Sequence, residues 1–179
     1  MHFAIFILQC VESMDELKTK QTFDLSLTIN GKAWSGQVPV EETLLDFVRY
    51  RLGLKGTKRS CESEVCGVCT VLVDQKAISS CNYLAFEAHG KSVLTIEGLA
   101  VGEQLDPLQE AFIRHLGFQC GYCTPGQIMA AKALLLENPS PTRQEIAEWL
   151  AGNICRCGAY PGIEKAVFEV LGRRVKGEV

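Results

Sequence analysis

Eight of the nine cysteines in this 179-residue chain fall into two separate quartets. The first is Cys61, Cys66, Cys69 and Cys81; the second is Cys120, Cys123, Cys155 and Cys157. Any fold this chain adopts has to gather sulfur from distant stretches at two points. Four thiolates hold one iron–sulfur cluster, so two quartets can hold two. The first has the Cys-x4-Cys-x2-Cys…Cys spacing of plant-type [2Fe–2S] sites, with three ligands in one loop and Cys81 at the end of the next hairpin. Gly67 lets the backbone approach closely and turn its N–H groups toward inorganic sulfide. The second joins Cys120-x2-Cys123 to Cys155-x-Cys157, each pair at a junction between expected helices. Cys123 lies just before a helix start, where the positive dipole end favours thiolate. Arg156, between two ligands, either offsets cluster charge or faces solvent.

Zinc is the rival occupant, since all-cysteine tetrahedral sites are common. Cys-x-Cys and Cys-x4-Cys-x2-Cys are both poor zinc-ribbon spacings. Disulfides fit less well, because Cys155 and Cys157 are too close in sequence for an easy bridge. The ninth thiol, Cys10, reads as a non-ligand.

Composition supports a chemical role for the thiols. Hydrophobic residues make up 47% and charged residues 22%, enough for a packed core without disulfide staples. The formal charge of −3, with no long basic tract, argues against nucleic acid as a partner. The apolar run Phe3 to Leu8 is too short to span a bilayer and lacks the flanks of a signal peptide. A cytoplasmic location and no membrane contact are expected, and a reducing cytosol suits thiolate ligands. Residues 1–20 read as an extension, or as the product of a start upstream of Met14.

Phe23, Leu25, Leu27 and Ile29 alternate with polar residues as in a half-buried strand. Asn30-Gly31 then turns the chain into a return strand, Ala33 to Val38. Leu44, Leu45, Phe47, Val48 and Leu52 mark a helix opened near Thr43 and ended by Gly53 and Gly56. Residues 57–69 form a loop, Thr70 to Val73 and Ala77 to Ser80 a second hairpin, and Val93 to Ile96 a further strand. Beyond Gly98 the pattern is helical. Asp106-Pro107 opens a helix to about Leu116, and Thr124-Pro125 repeats that device before Gln127 to Glu137. Thr142 with Glu145 forms a capping box for a third helix, and Ile163, Ala166, Val167 and Val170 stripe a fourth. The expected organisation is an extension (1–20), a mixed α/β unit (21–98) and an all-α unit (99–179), one quartet in each of the last two. His2, His89 and His115 share no spacing and read as structural; Trp34 and Trp149 read as packing residues. No phosphate-cradling loop, nucleophile elbow or paired catalytic carboxylates occur, so the chain offers no site for substrate chemistry and no catalytic residue.

The segments Cys61-Glu-Ser-Glu-Val-Cys-Gly-Val-Cys69, Gln119-Cys-Gly-Tyr-Cys-Thr-Pro-Gly126 and Gly152-Asn-Ile-Cys-Arg-Cys157 together resemble the small iron–sulfur subunit of the xanthine oxidase family, the molybdenum hydroxylases. The resemblance covers about residues 22–172. It implies an α+β protein, with a β-grasp plant-type ferredoxin domain followed by an all-α four-helix-bundle [2Fe–2S] domain. The second quartet's cluster would lie nearest the molybdopterin of a large subunit, a dinucleotide form being open. Gln119 and Cys157 match positions that approach the pterin. The first quartet's cluster would lie nearer the FAD of a medium subunit. The implied assembly is a heterotrimer, with a dimer of heterotrimers open, passing electrons from molybdenum through both clusters to FAD. Two departures stand out: Ser63 and Glu64 replace frequent glycines, and Cys-Arg-Cys-Gly-Ala-Tyr160 replaces the usual Cys-Arg-Cys-Thr-Gly-Tyr. The second is similar to some bacterial aldehyde-oxidising members, which favours an aldehyde substrate. The alternatives are the same role in a heteroaromatic, purine or carbon monoxide dehydrogenase, a free-standing ferredoxin, or a zinc-binding module.

Overall fold

A computed structural model describes residues 21–175, with the side chains of 173–175 left aside. Cys10, His2 and the 1–20 extension lie outside the described residues. The protein is α+β. Strands β1 (Thr22–Ile29) and β2 (Lys32–Pro39) pair antiparallel in the register Ile29↔Lys32, Leu25↔Gly36. Between them Asn30 and Gly31 take φ of 48° and 77°, the doubly left-handed turn that matches strand twist. Strands β3 (Thr70–Val73) and β4 (Lys76–Ser79) form the second hairpin. Its turn residues, Asp74 and Gln75, are left-handed as well, without a glycine. Strand β5 (Ser92–Leu94) runs parallel to β1 and antiparallel to β3, giving the order β2-β1-β5-β3-β4.

The first helical segment differs from the sequence expectation. Helix α1 (Leu44–Asp46), capped by the Thr43 side chain accepting from the Asp46 N–H, gives way at once to a π-helical turn, Phe47–Arg51. The Leu52 N–H reaches back five residues to the Phe47 carbonyl at 3.1 Å. This wider winding keeps Leu44, Phe47 and Val48 in one core with Leu25, Leu27, Val71 and Val93.

Four helices follow: α2 (Pro107–Arg114), α3 (Thr124–Glu137), α4 (Arg143–Leu150) and α5 (Tyr160–Val175). Asp106 and Thr142 cap α2 and α4 as expected, each in a reciprocal box with Gln109 or Glu145. Thr124 does not cap α3. The preceding Cys123 holds that position without a side-chain bond, so Thr124 and Pro125 are the first helical residues. Helix α3 is apolar all round and buried from Gly126 to Ala131, the signature of a central helix. It packs on α2, α4 and β3. Every residue of β3 is buried as a result. Val71 and Val73 enter the sheet's own core, while Leu72 joins Phe112, Ile128, Met129 and Ile163 in the helical core. The two cores therefore share one strand. Among the described residues, no helix is long and apolar enough to cross a membrane.

Candidate metal centres

The first quartet is built on a loop that side chains hold in shape. Arg49 donates to the carbonyls of Lys55 (3.1 Å) and Thr57, and Arg59 bridges Asp46 and Glu62. Asn82 Nδ2 donates to Glu64 at 2.8 Å. Glu62, Glu64 and Gly67 turn through φ of 56°, 61° and 64°. Glu64 thus spends conformational energy at a position where a glycine would not, and the Asn82 bond offsets part of it. Cys66 acts on the titration of Cys61, and Cys81 on that of Cys69. Cys61 is exposed and accepts from the Ser63 N–H at 3.5 Å. That amide leads the causes that lower its thiol to about 6. Cys69 is buried, and burial raises it to about 12. Its carbonyl accepts from Ser80 Oγ at 2.7 Å, which ties the loop to the segment carrying Cys81.

The second quartet is assembled from helix ends. Cys120 and Cys123 precede α3; Cys155 and Cys157 lie between α4 and α5. Cys155 and, more weakly, Cys120 act on the titration of Cys123. Burial, together with Cys155, raises the Cys123 thiol to about 12. Burial also works to raise Cys155. The amides of Ala159, Cys157 and Gly158, with Cys123, outweigh it and leave the thiol lowered. The Ala159 N–H lies 3.4 Å from Cys155 Sγ, and the Cys155 N–H donates to Tyr160 Oη at 2.8 Å. Gln119 and Cys157 are brought together: Gln119 Nε2 donates to the Cys157 carbonyl at 3.2 Å on an exposed edge. Arg156 is exposed.

Among the described residues, no three His, Cys, Asp or Glu side chains converge on one ion-sized point. The thiols act on one another in twos, and amides are directed at Cys61 and Cys155. That donor set fits a [2Fe–2S] group, in which each iron takes two thiolates and backbone N–H groups neutralise sulfur charge.

The two sites meet directly. The Ile154 N–H donates to the Cys66 carbonyl at 2.9 Å, and Tyr122 Oη donates to the Arg59 carbonyl. The buried Asn153 donates through Nδ2 to the Gly67 carbonyl at 2.8 Å, and Gln127 Nε2 donates to the Asn153 carbonyl at 2.7 Å. Sequence reasoning passed over Asn153, Gln127, Tyr122 and Tyr160. The available signal was a polar residue inside each cysteine motif, Asn153 and Tyr122 included. The remaining candidates are structural, as their scattered spacing suggested. His89 accepts from the Ser26 N–H and stands edge-on to Phe23, and His115 pairs with Glu169. Trp34 packs edge-on against Phe47, and Trp149 donates to the Ala130 carbonyl.

The chain is similar to known proteins over most of its length. Residues 27–95 match the family described as 2Fe-2S iron-sulfur cluster binding domain, and residues 95–168 the [2Fe-2S] binding domain. A probable xanthine dehydrogenase component of Bacillus subtilis is 45% identical over 156 residues, covering 84% of this chain and 90% of that protein. The aldehyde oxidoreductase iron-sulfur-binding subunit of Escherichia coli is 44% identical over 163 residues, covering 83% and 71%. In the crystal structure of quinoline 2-oxidoreductase from Pseudomonas putida, one chain superposes with a TM-score of 0.83 at 44% identity, covering 89% of this chain and 99% of that one. The chain carries two [2Fe–2S]-binding domains and belongs to the small iron–sulfur subunits of the molybdenum hydroxylases, the electron-transfer components of the xanthine dehydrogenase and aldehyde oxidoreductase family.

Proposed function

We propose that Cys61, Cys66, Cys69 and Cys81 hold one [2Fe–2S] cluster, and that Cys120, Cys123, Cys155 and Cys157 hold the other. The reading rests on one observation: two cysteine-bearing loops, each with an amide on a cysteine sulfur, joined by the Ile154–Cys66 hydrogen bond. When bound, each cluster supplies one-electron storage. The chain's own part is to fix the thiolates, soften their charge with amides and hold the two ligand sets a short distance apart. Within each quartet the paired thiols, 61 with 66, 69 with 81 and 123 with 155, share an iron, which leaves 120 with 157.

In this reading residues 21–98 form a β-grasp domain, and residues 99–179 a four-helix bundle around α3. The chain works in the cytoplasm, in a heterotrimer with a large molybdopterin subunit and a medium FAD subunit. Gln119 and Cys157 present the exposed edge toward the pterin. Electrons leave on the side of Cys61, toward the flavin. The substrate is an aldehyde, in line with the Cys155–Tyr160 sequence and the Escherichia coli relative. A nitrogen heterocycle is the second reading, favoured by the equal identity to the quinoline enzyme.

The test is electron paramagnetic resonance of the reduced native complex. Two distinct [2Fe–2S] signals are expected, and a single signal with half the iron would remove one quartet. Turnover of an aldehyde series against quinoline-type heterocycles separates the substrate readings. Cys157→Ser should abolish one signal and block flavin reduction by substrate, whereas normal flavin reduction would refute the relay route.

A further inference from the structure

The seam between the two ligand loops contains almost no side chain. A Cβ on Gly126 would sit 2.4 Å from the Gly67 carbonyl and 2.9 Å from that of Val68. One on Gly67 would sit 2.5 Å from the Gly152 carbonyl. Backbone therefore lies on backbone, and Asn153 is the side chain that fills the junction. Its amide donates to the Gly67 carbonyl at 2.8 Å and to Thr70 Oγ1 at 3.3 Å. Thr70 Oγ1 donates to the same Gly67 carbonyl at 2.6 Å. Gln127, fully buried, grips the Asn153 main chain from α3.

We propose that Asn153 is a positioning residue for electron transfer: it locks the Cys66–Cys69 loop onto the second ligand segment and tunes the first cluster through the Gly67–Val68 peptide. In a trans peptide the carbonyl and the following N–H point opposite ways, and the chain has no cis bonds among the described residues. Donors gathered on the Gly67 carbonyl polarise that peptide, which makes the Val68 N–H a stronger donor on the far side. Among the described residues no protein acceptor takes the Val68 N–H, which lies in the chain between Cys66 and Cys69; in this proposal its partner is cluster sulfur. A stronger donor there favours the reduced, more negative cluster. The exchange carries one electron: one cluster is oxidised, the other reduced, and no proton moves. This inference rests on the ligand sets proposed above.

The experiment is a redox titration of the purified complex followed by paramagnetic resonance, on wild type, Asn153→Ala and Trp149→Phe. With iron and sulfide content unchanged, Asn153→Ala should move the equilibrium distribution of one electron away from the Cys61/66/69/81 cluster by about twofold, the size of a partial weakening of one hydrogen bond to a charged group. The spin coupling between the reduced clusters should change with it. Trp149→Phe removes a hydrogen bond of the helical core, to the Ala130 carbonyl, without touching Asn153 or the Gly67 carbonyl, so its distribution should stay at wild type. A purely structural role predicts lower thermal stability in both variants and no redistribution in either; that result, or equal redistribution in both, overturns the proposal. If Asn153→Ala loses a cluster, Thr70→Val carries the test. It removes the hydroxyl donor from the same carbonyl and should shift the electron in the same direction; no shift overturns the proposal. A wild-type complex lacking two signals would instead refute the ligand assignment itself.

Discussion

The two cysteine sites solve one problem in different ways. Each has an exposed thiol and a buried one, Cys61 and Cys69 in the first, Cys120 and Cys155 in the second. The first draws three thiols from one short loop that left-handed residues curl and the Arg49, Arg59 and Asn82 side chains tie down. The second owes its shape to where helices end, so it depends on the packing of α2, α3, α4 and α5. A loop held by local ties fails locally. A site held by helix packing fails when the helical core loosens.

The largest expected effect comes from that core. Phe112 is 1% exposed, and Phe112→Ala should cost about 3–5 kcal/mol. On heating, the second cluster's signal should vanish first; simultaneous loss of both signals would mean the sites fail as one unit and erase the contrast. Arg59→Ala is the converse. It frees Asp46 and Glu62, both partly solvated, so its global cost should stay at about 1 kcal/mol or less. Chelator should nevertheless strip iron from the first site faster while the second keeps its iron.

A third prediction concerns the thiols of cluster-free protein. With Cys61 lowered to about 6 and Cys69 and Cys123 raised to about 12, brief alkylation near neutral pH should label Cys61 well ahead of the other two. Its labelling should fall as pH drops through 6, because the thiolate is the nucleophile. Mass mapping of labelled peptides reads the order, and early labelling of Cys69 would contradict the burial argument. The smallest effect on the two sites is Thr142→Ala: about 1 kcal/mol from a lost helix cap, with neither paramagnetic signal altered. The Thr142 amide and hydroxyl hold the Glu145 carboxyl below its ordinary value. The stabilisation is thus full above the usual carboxylate range and disappears as pH falls through the lowered one; a stability–pH profile of the variant should show it weakened, because the main-chain amide remains.

Wherever a local rule decides the outcome, the sequence was legible. Cysteine spacing marked two [2Fe–2S]-binding domains, Asn30-Gly31 marked a turn, and the Asp106 and Thr142 boxes marked helix starts. Thr124-Pro125 misled because Cys123 already holds the cap position; Thr124 Oγ1 is left buried without a partner. The expected single helix from Leu44 to Leu52 missed the π-helical turn, since periodicity alone does not separate a four-residue hydrogen-bond reach from a five-residue one. Asn153 escaped notice because its acceptor, Gly67, lies 86 residues away, and buried polar partnerships at that separation leave no trace in spacing. The full burial of Thr70 to Val73 was hidden for a similar reason: the helices that cover its second face come later in the chain.

That doubly covered strand has a practical corollary. Cutting the polypeptide after Gly98 would strip α3 from Leu72 and leave an oily face on one fragment and a raw groove on the other. The subunit is built like a plank nailed from both sides, and neither half can be lifted away as a portable redox module.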